Sequence, residues 1–394
     1  MKGFLVMSHH FLYLKVYSIC SVLMLLFLLL PITQHAYADG GAPNLAYVAG
    51  ASKGISVIDI AQQKVINNFS LNGDPHMVYL SLDGRFLYIA QPSLDRVTLL
   101  AAKTGQTVCS ANVPGQPTLL AFDAGINILY VAGNKANTIT EIDPIDCSIK
   151  KTLTTSGNVY GMNVAVVGSG VSGGNGNQLW VATSTSMNVY TNNGQIASIP
   201  IPGGPQYVTI PAGEFVYVTT RDGSVYAIDL ASRKPLPPLL TSGQFGPMDY
   251  DAITGQVYVP DIQHKQIDVL SPINPGTTVP QHEPDHIIRL GVAPQSIAIT
   301  SDGQLGFIAL QGGNVAMLDI PGRQIFNTLY VGGNPHFIIT GLYPPVLGTN
   351  PQQASQLTTI INIAAYVLVI GLFIVPLLLL RRYSRSGNQK KKKA

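Results

Sequence analysis

GDPHMVYLSLDGRFLYIAQ, Gly73–Gln91, and GVAPQSIAITSDGQLGFIALQ, Gly291–Gln311, are two copies of one pattern. Each runs Gly, Pro, an apolar strand, a turn ending in Asp-Gly, and a second apolar strand. Self-similarity at a fixed period is the signature of a repeat architecture. The second-strand aromatic recurs at Tyr47, Tyr88, Tyr130, Trp180, Tyr217, Tyr258 and Phe307, at spacings of 41, 42, 50, 37, 41 and 49. Third strands follow as ISVID from Ile55, RVTLL from Arg96, TITEID from Thr138, SVYAID from Ser224, QIDVL from Gln266 and VAMLD from Val315. A fourth strand follows a turn, as in GQTVCSANV from Gly105. Short β-branched runs cut by Gly, Asp and Pro read as antiparallel β, and no amphipathic helix interrupts residues 40–345. Four strands per repeat of this length is one propeller blade, so seven anchors predict an all-β, seven-bladed β-propeller.

The second strands Tyr47-Val48-Ala49-Gly50, Tyr130-Val131-Ala132-Gly133 and Tyr217-Val218-Thr219-Thr220 resemble the YVTN-type β-propeller repeat. The Pro of that motif falls on Pro75, Pro117, Pro205, Pro247, Pro294 and Pro335, and Gly161 replaces it once. The resemblance implies a seven-bladed propeller of the lactonase-like and surface-layer kind. It says little about function, because that family includes enzymes and binding proteins.

Ring closure is also written in the order of the strands. Tyr47 has no Pro-strand before it, and Pro335–Thr340 has no anchor after it. The two halves complete one blade, with the C-terminal strand innermost. Phe337, Ile338 and Ile339 are then expected to be buried between neighbouring blades. With strands lettered a to d outward from the channel, one face carries the a–b and c–d loops. The insertions Gly168–Asn177 and Pro272–Pro284 fall on that face, as do both chain ends. The opposite face carries the channel mouth.

The two ends of the chain specify a topology. Val16–Leu30 is apolar, preceded by Lys2 and Lys15 and followed by Ala36-Tyr37-Ala38, so residues 1–38 read as a signal peptide cleaved before Asp39. The propeller occupies 39–343 and a linker 344–357. Residues 358–380 read as one transmembrane helix, and 381–394 as a basic cytoplasmic tail under the positive-inside rule. The propeller is therefore expected outside the membrane. Between residues 39 and 356 stand 14 Lys and Arg against all 20 Asp and Glu, although the whole chain is +3. The basic balance belongs to the ends and supports no nucleic-acid partner. Cys109 and Cys147 lie 38 apart, about one repeat, which predicts outer strands of neighbouring blades, too far apart for a disulfide. Asn68-Phe69-Ser70 fits a glycosylation sequon.

Residues just after each motif Pro should ring the mouth: His76, Thr118, Met162, Gln206, Met248, Gln295 and His336, with Asp249 beside them. Closure puts His76 and His336 on neighbouring blades, where a His pair could hold copper or zinc. The competing reading has each imidazole hydrogen-bonded to a loop carbonyl. No nucleophile elbow, zinc-protease motif or phosphate loop is present, and no cofactor is required. The Asp-Gly residues Asp83, Asp222 and Asp302 read as turns, as do Asp59, Asp143, Asp229 and Asp319 at the ends of third strands. Two functions follow: a membrane-anchored surface module binding a protein, glycan or small ligand, or a lactonase-like hydrolase at the mouth. An enzyme should gather acids, His and Arg there, and His76, His336 and Asp249 are the whole set, with no Arg.

Overall fold

The computed structural model describes residues 44–340 except 167–175, 212 and 214. The expected signal peptide, linker, spanning segment and basic tail, and most of the Gly168–Asn177 insertion, lie outside the described residues. Among the described residues no helix is long and apolar enough to cross a membrane. They form seven antiparallel sheets, and the only helical turn is a 3-10 turn at Pro92–Leu94.

Blade 1 has the order Phe337–Thr340, Leu45–Ala51, Gly54–Asp59, Lys64–Ser70 from the axis outward. The ends of the chain are thus joined as the strand order requires. Ala46 pairs with Thr340, Tyr47 with Ile339, Val48 with Ile338 and Ala49 with Phe337. Six of the blades have four strands. Blade 5 has three, Pro205–Thr209, Phe215–Thr220 and Val225–Asp229. Its outer position is filled by a segment held at two points, Ile228 to Pro235 and Val225 to Leu240. The sequence there is Pro235-Leu-Pro-Pro-Leu-Leu240, and a proline cannot donate to a ladder, so the edge touches without forming a strand.

Burial falls off with distance from the axis. Gln178–Ala182, a second strand, is buried at every residue. Ile149–Thr154, a fourth strand, is almost wholly exposed. Second strands are covered on both faces by neighbouring blades and so read as continuous apolar runs, whereas an outer strand such as Gln324–Tyr330 faces water and alternates between exposed and half-buried residues. Seven hydrophobic clusters fill the seven blade interfaces. The anchor aromatics also bond across those interfaces. Tyr47 donates its hydroxyl to the Ala102 carbonyl at 3.2 Å, and Tyr88 donates to Pro144 at 3.2 Å. Each acceptor lies in the c–d turn of the next blade. The aspartates expected to shape turns do so: Asp59 accepts from the Gln62 N–H, Asp143 from Ile145 and Asp229 from Ser232. Gly161, where the motif Pro is missing, has a reason. A Cβ there would lie 1.8 Å from the Gln206 carbonyl oxygen of the next blade.

Two expectations are corrected, and the sequon asparagine is placed. The closing strand is not equally buried along its length. Ile338 is 2% exposed and packs toward blade 7, while Phe337 and Ile339 are partly buried and pack toward blade 2. Cys109 and Cys147 do form a disulfide, with Cα atoms 5.9 Å apart. The expectation failed because Cys147 is not on a strand. It sits in the turn between Thr138–Ile142 and Ile149–Thr154 at φ +61°, and that turn leans onto the outer strand of blade 2. Asn68 is half-buried and accepts a 2.7 Å hydrogen bond from Ser56, so the sequon side chain is engaged inside blade 1.

Two outcomes follow. A propeller ending at Gly333 loses the closing strand; at about 25 cal/mol per Å² its apolar side chains are worth several kcal/mol, so it should melt roughly 10 °C lower or aggregate, while one ending at Pro345 stays soluble. Equal melting would show the ring closing by another route. Cys109→Ala with Cys147→Ala should cost about 2–4 kcal/mol. Thiol labelling of the untreated propeller should leave both cysteines unmodified until a reductant is added, and free thiols without reductant would refute the bridge.

Candidate functional site

The innermost strands bring the expected residues together at one end of the channel. A cavity of about 260 Å³ is lined by His76, Thr118, Met162, Met248, Asp249, Gln295 and His336, one or more from six blades. Blade 5 supplies Tyr207, not Gln206. The reason is a register irregularity between Pro205 and Val208 against the neighbouring strand. The Tyr207 N–H turns to the Thr219 hydroxyl at 3.0 Å, and the side chains shift by one place.

The next position along each strand adds residues that sequence reasoning named only at Asp249. Asn163 and Tyr207 also line the cavity. Their signal was available, since they follow Met162 and Gln206 as Asp249 follows Met248. Several of these polar groups stitch adjacent blades together at the channel wall. Asn163 donates to the Val208 carbonyl at 3.4 Å, the Thr209 hydroxyl donates to Met248 at 2.7 Å, and the Thr340 hydroxyl donates to Ile299 at 2.8 Å. Asp249 accepts from the Ile299 N–H at 2.7 Å. Burial pushes the Asp249 carboxyl up to about 7, against the opposing pull of the Ile299 and Tyr250 N–H groups.

The two histidines stand as ring closure requires. Their ring centroids are 4.7 Å apart and the planes tilt by 40°. Both side chains are partly buried. Burial depresses the His76 imidazole to about 4, the adjacent His336 adds to the effect and Asp74 opposes it. Burial also lowers His336, again against Asp74. Both rings are therefore neutral near pH 7. Among the described residues, no loop carbonyl accepts a hydrogen bond from either imidazole. Among the described residues, the imidazoles with a hydrogen-bonding or ion-pair partner are those of His264, His282 and His286. Among the described residues no group of three His, Cys, Asp or Glu side chains is disposed around a metal position.

An arginine was missed near this end. Arg221, in the b–c turn of blade 5, lies over the Tyr160 ring at 4.4 Å. Tyr160 comes two residues before Met162. Nothing local in the sequence links positions 160 and 221, and only blade order brings them together. Arg221 stands on the rim and is exposed; it does not line the cavity.

No family model matches the chain, and no curated protein matches it. The YVTN-type resemblance is accordingly not confirmed, while the propeller fold is. The dihydro-heme d1 dehydrogenase NirN, solved in complex with DHE, is similar at a TM-score of 0.55 and 16% identity, over 75% of each chain. The β-propeller domain of Cps50 (Swd1) from Myceliophteria thermophila is similar at 0.57 and 13%, over 68% of this chain and 90% of that one. A functionally unknown protein from Desulfotomaculum acetoxidans reaches 0.62 at 12%, over 76% and 99%. At these identities the likeness is one of fold alone.

The carboxyl of Asp249 gives a pH signature. Its native value of about 7 lies above the usual 3.8. Between those values the native state holds a proton that the unfolded chain has released, so stability falls as pH rises through the window. Asp249→Asn keeps an acceptor for the Ile299 N–H without the charge. It should raise the melting temperature by several degrees at pH 8, roughly 2–4 °C per kcal/mol, and by much less at pH 5. The same shift at both pH values would mean that Asp249 does not titrate in this range.

Proposed function

We propose that this chain is a membrane-anchored binding module, with its propeller outside the membrane and its ligand at the channel mouth. The observation that carries the reading is the opposition of two faces. Asn44 and Thr340, the described ends of the chain, both lie at the a–b and c–d face, as the Ala46–Thr340 pairing requires. The mouth residues begin the innermost strands at the other face. An anchor following residue 340 leaves the mouth pointing away from the bilayer.

Three further features support the topology. Residues 1–38 have the charged, apolar and small-residue parts of a signal peptide. Residues 358–380 are long and apolar enough to span ~30 Å of hydrocarbon, and Arg381, Arg382, Arg385 and Lys390–Lys393 follow. The Cys109–Cys147 bridge belongs to an oxidising compartment. Binding is favoured over the lactonase-like alternative by what the polar groups already do. Asp249 is engaged with backbone N–H groups of two blades, and Arg221 is held against Tyr160 at the rim. A hydrolase built on Asp249 would need that carboxyl free to meet a nucleophile in the cavity.

Protease added to intact cells should remove the propeller and leave a short membrane-bound fragment, and the mature chain should begin at Asp39. A protected propeller, or a chain that retains Met1, contradicts this topology. A ligand selected from a glycan and small-molecule panel should be lost on Thr118→Trp, which fills the mouth, and kept on Thr277→Trp in the opposite face. Indifference to Thr118→Trp would move the site elsewhere.

A further inference from the structure

Among the described residues, the ring nitrogens of His76 and His336 find no hydrogen-bonding partner in the protein, and the two rings stand together in the cavity wall. Both residues occupy the same place in the repeat, and the same backbone bond fixes each. The His76 N–H donates to Ala90 and the His336 N–H donates to Ala49, both at 3.0 Å. Ala90 and Ala49 are equivalent positions on adjacent second strands. The His336 ring is further confined by Gly50, at φ +82°, where a Cβ would lie 2.8 Å from the ring carbon Cδ2. The repeat therefore fixes the backbone of both residues at equivalent places, and Gly50 leaves room for the His336 ring.

We propose that His76 and His336 together form a two-imidazole site for a borderline divalent cation, Cu²⁺ or Zn²⁺, at the channel mouth. The spacing fits such an ion. With a metal–nitrogen distance of about 2.0–2.1 Å, two imidazoles with ring centres 4.7 Å apart that each turn a nitrogen to one ion would subtend roughly 95° at it. That is a cis pair, suited to tetrahedral or square-planar coordination and not to a linear ion. Imidazole donors select copper and zinc over the oxygen-seeking magnesium and calcium. Asp74, which acts electrostatically on both rings, adds an attraction for positive charge.

The site is open by construction. Among the described residues no third His, Cys, Asp or Glu completes it. Two positions are left for water or for a donor group of a molecule in the cavity that Thr118, Met162 and Gln295 also line. The metal would then serve as the point at which a carboxylate, amine or imidazole of that molecule is gripped. This inference stands on the geometry of the ring and is independent of the membrane topology and of the organic ligand.

The test uses the full-length chain in detergent, stripped with a chelator and titrated separately with Cu²⁺ and Zn²⁺ against a chromogenic competitor. One His-dependent equivalent per chain is expected. Affinity should drop at least tenfold in His76→Gln and again in His336→Gln, and should be unchanged in His282→Gln, which lies in the opposite-face insertion. Electron paramagnetic resonance of the Cu²⁺ form should show two nitrogen donors. Binding that survives both substitutions overturns the proposal, as does the lack of any saturable equivalent. If neither variant folds, the spectrum of the unaltered chain decides, and one nitrogen or none refutes the site.

Discussion

Four residue pairs, Phe337–Ala49 to Thr340–Ala46, hold every other contact in this molecule in place. A propeller sheet is curved into a ring by the packing of blade on blade, and each blade needs neighbours on both sides to cover its apolar faces. An open ring leaves two such faces in water, together with the unpaired edge of an innermost strand. Here the blade 1 sheet uses residues nearly three hundred positions apart, so the loop-closure entropy is met late in folding. The reward is that Ile338 completes one interface while Phe337 and Ile339 complete the next. The same strand carries His336, so the act of closing the ring also assembles the His pair.

How much of this was legible depends on whether the relevant periodicity was local. The anchor aromatics and the motif prolines repeat because each blade meets the same packing problem, so blade number, strand order and closure follow from spacing alone. The same periodicity located the mouth residues in six blades. It failed at Gln206, where the bulge between Pro205 and Val208 turns Tyr207 inward. A bulge adds or drops a residue without changing composition, and nothing in the local sequence marked it. The disulfide was misjudged for a related reason. A spacing of about one repeat places two residues on equivalent strands only if both are on strands, and Cys147 lies in a turn. The Arg221–Tyr160 contact joins residues sixty positions apart, and a single sequence does not state which turns meet across an interface.

The wall of the channel divides its polar groups into two kinds. Asn163, Thr209, Asp249 and Thr340 each bond to the backbone of an adjacent blade. A buried polar atom without a partner costs about 1–3 kcal/mol, so these links fix the angle between blades and remove that cost at the same time. Asp249 is the extreme case, since burial alone keeps its carboxyl close to neutral. These groups explain why the channel is polar without requiring that it be reactive.

His76 and His336 are the other kind. They line the cavity and, among the described residues, find no hydrogen-bonding partner, although a ring nitrogen in a wall of this sort ordinarily finds one. Their backbone is as firmly bonded as that of the stitching residues, so the missing partner is not a sign of a loose segment. The other five blades offer Thr118, Met162, Tyr207, Met248 and Gln295 at or beside the same level, with Asp249, whose carboxyl accepts from the Ile299 N–H of the next blade. The seven-fold frame therefore concentrates its metal-binding chemistry at the seam where the chain's two ends meet.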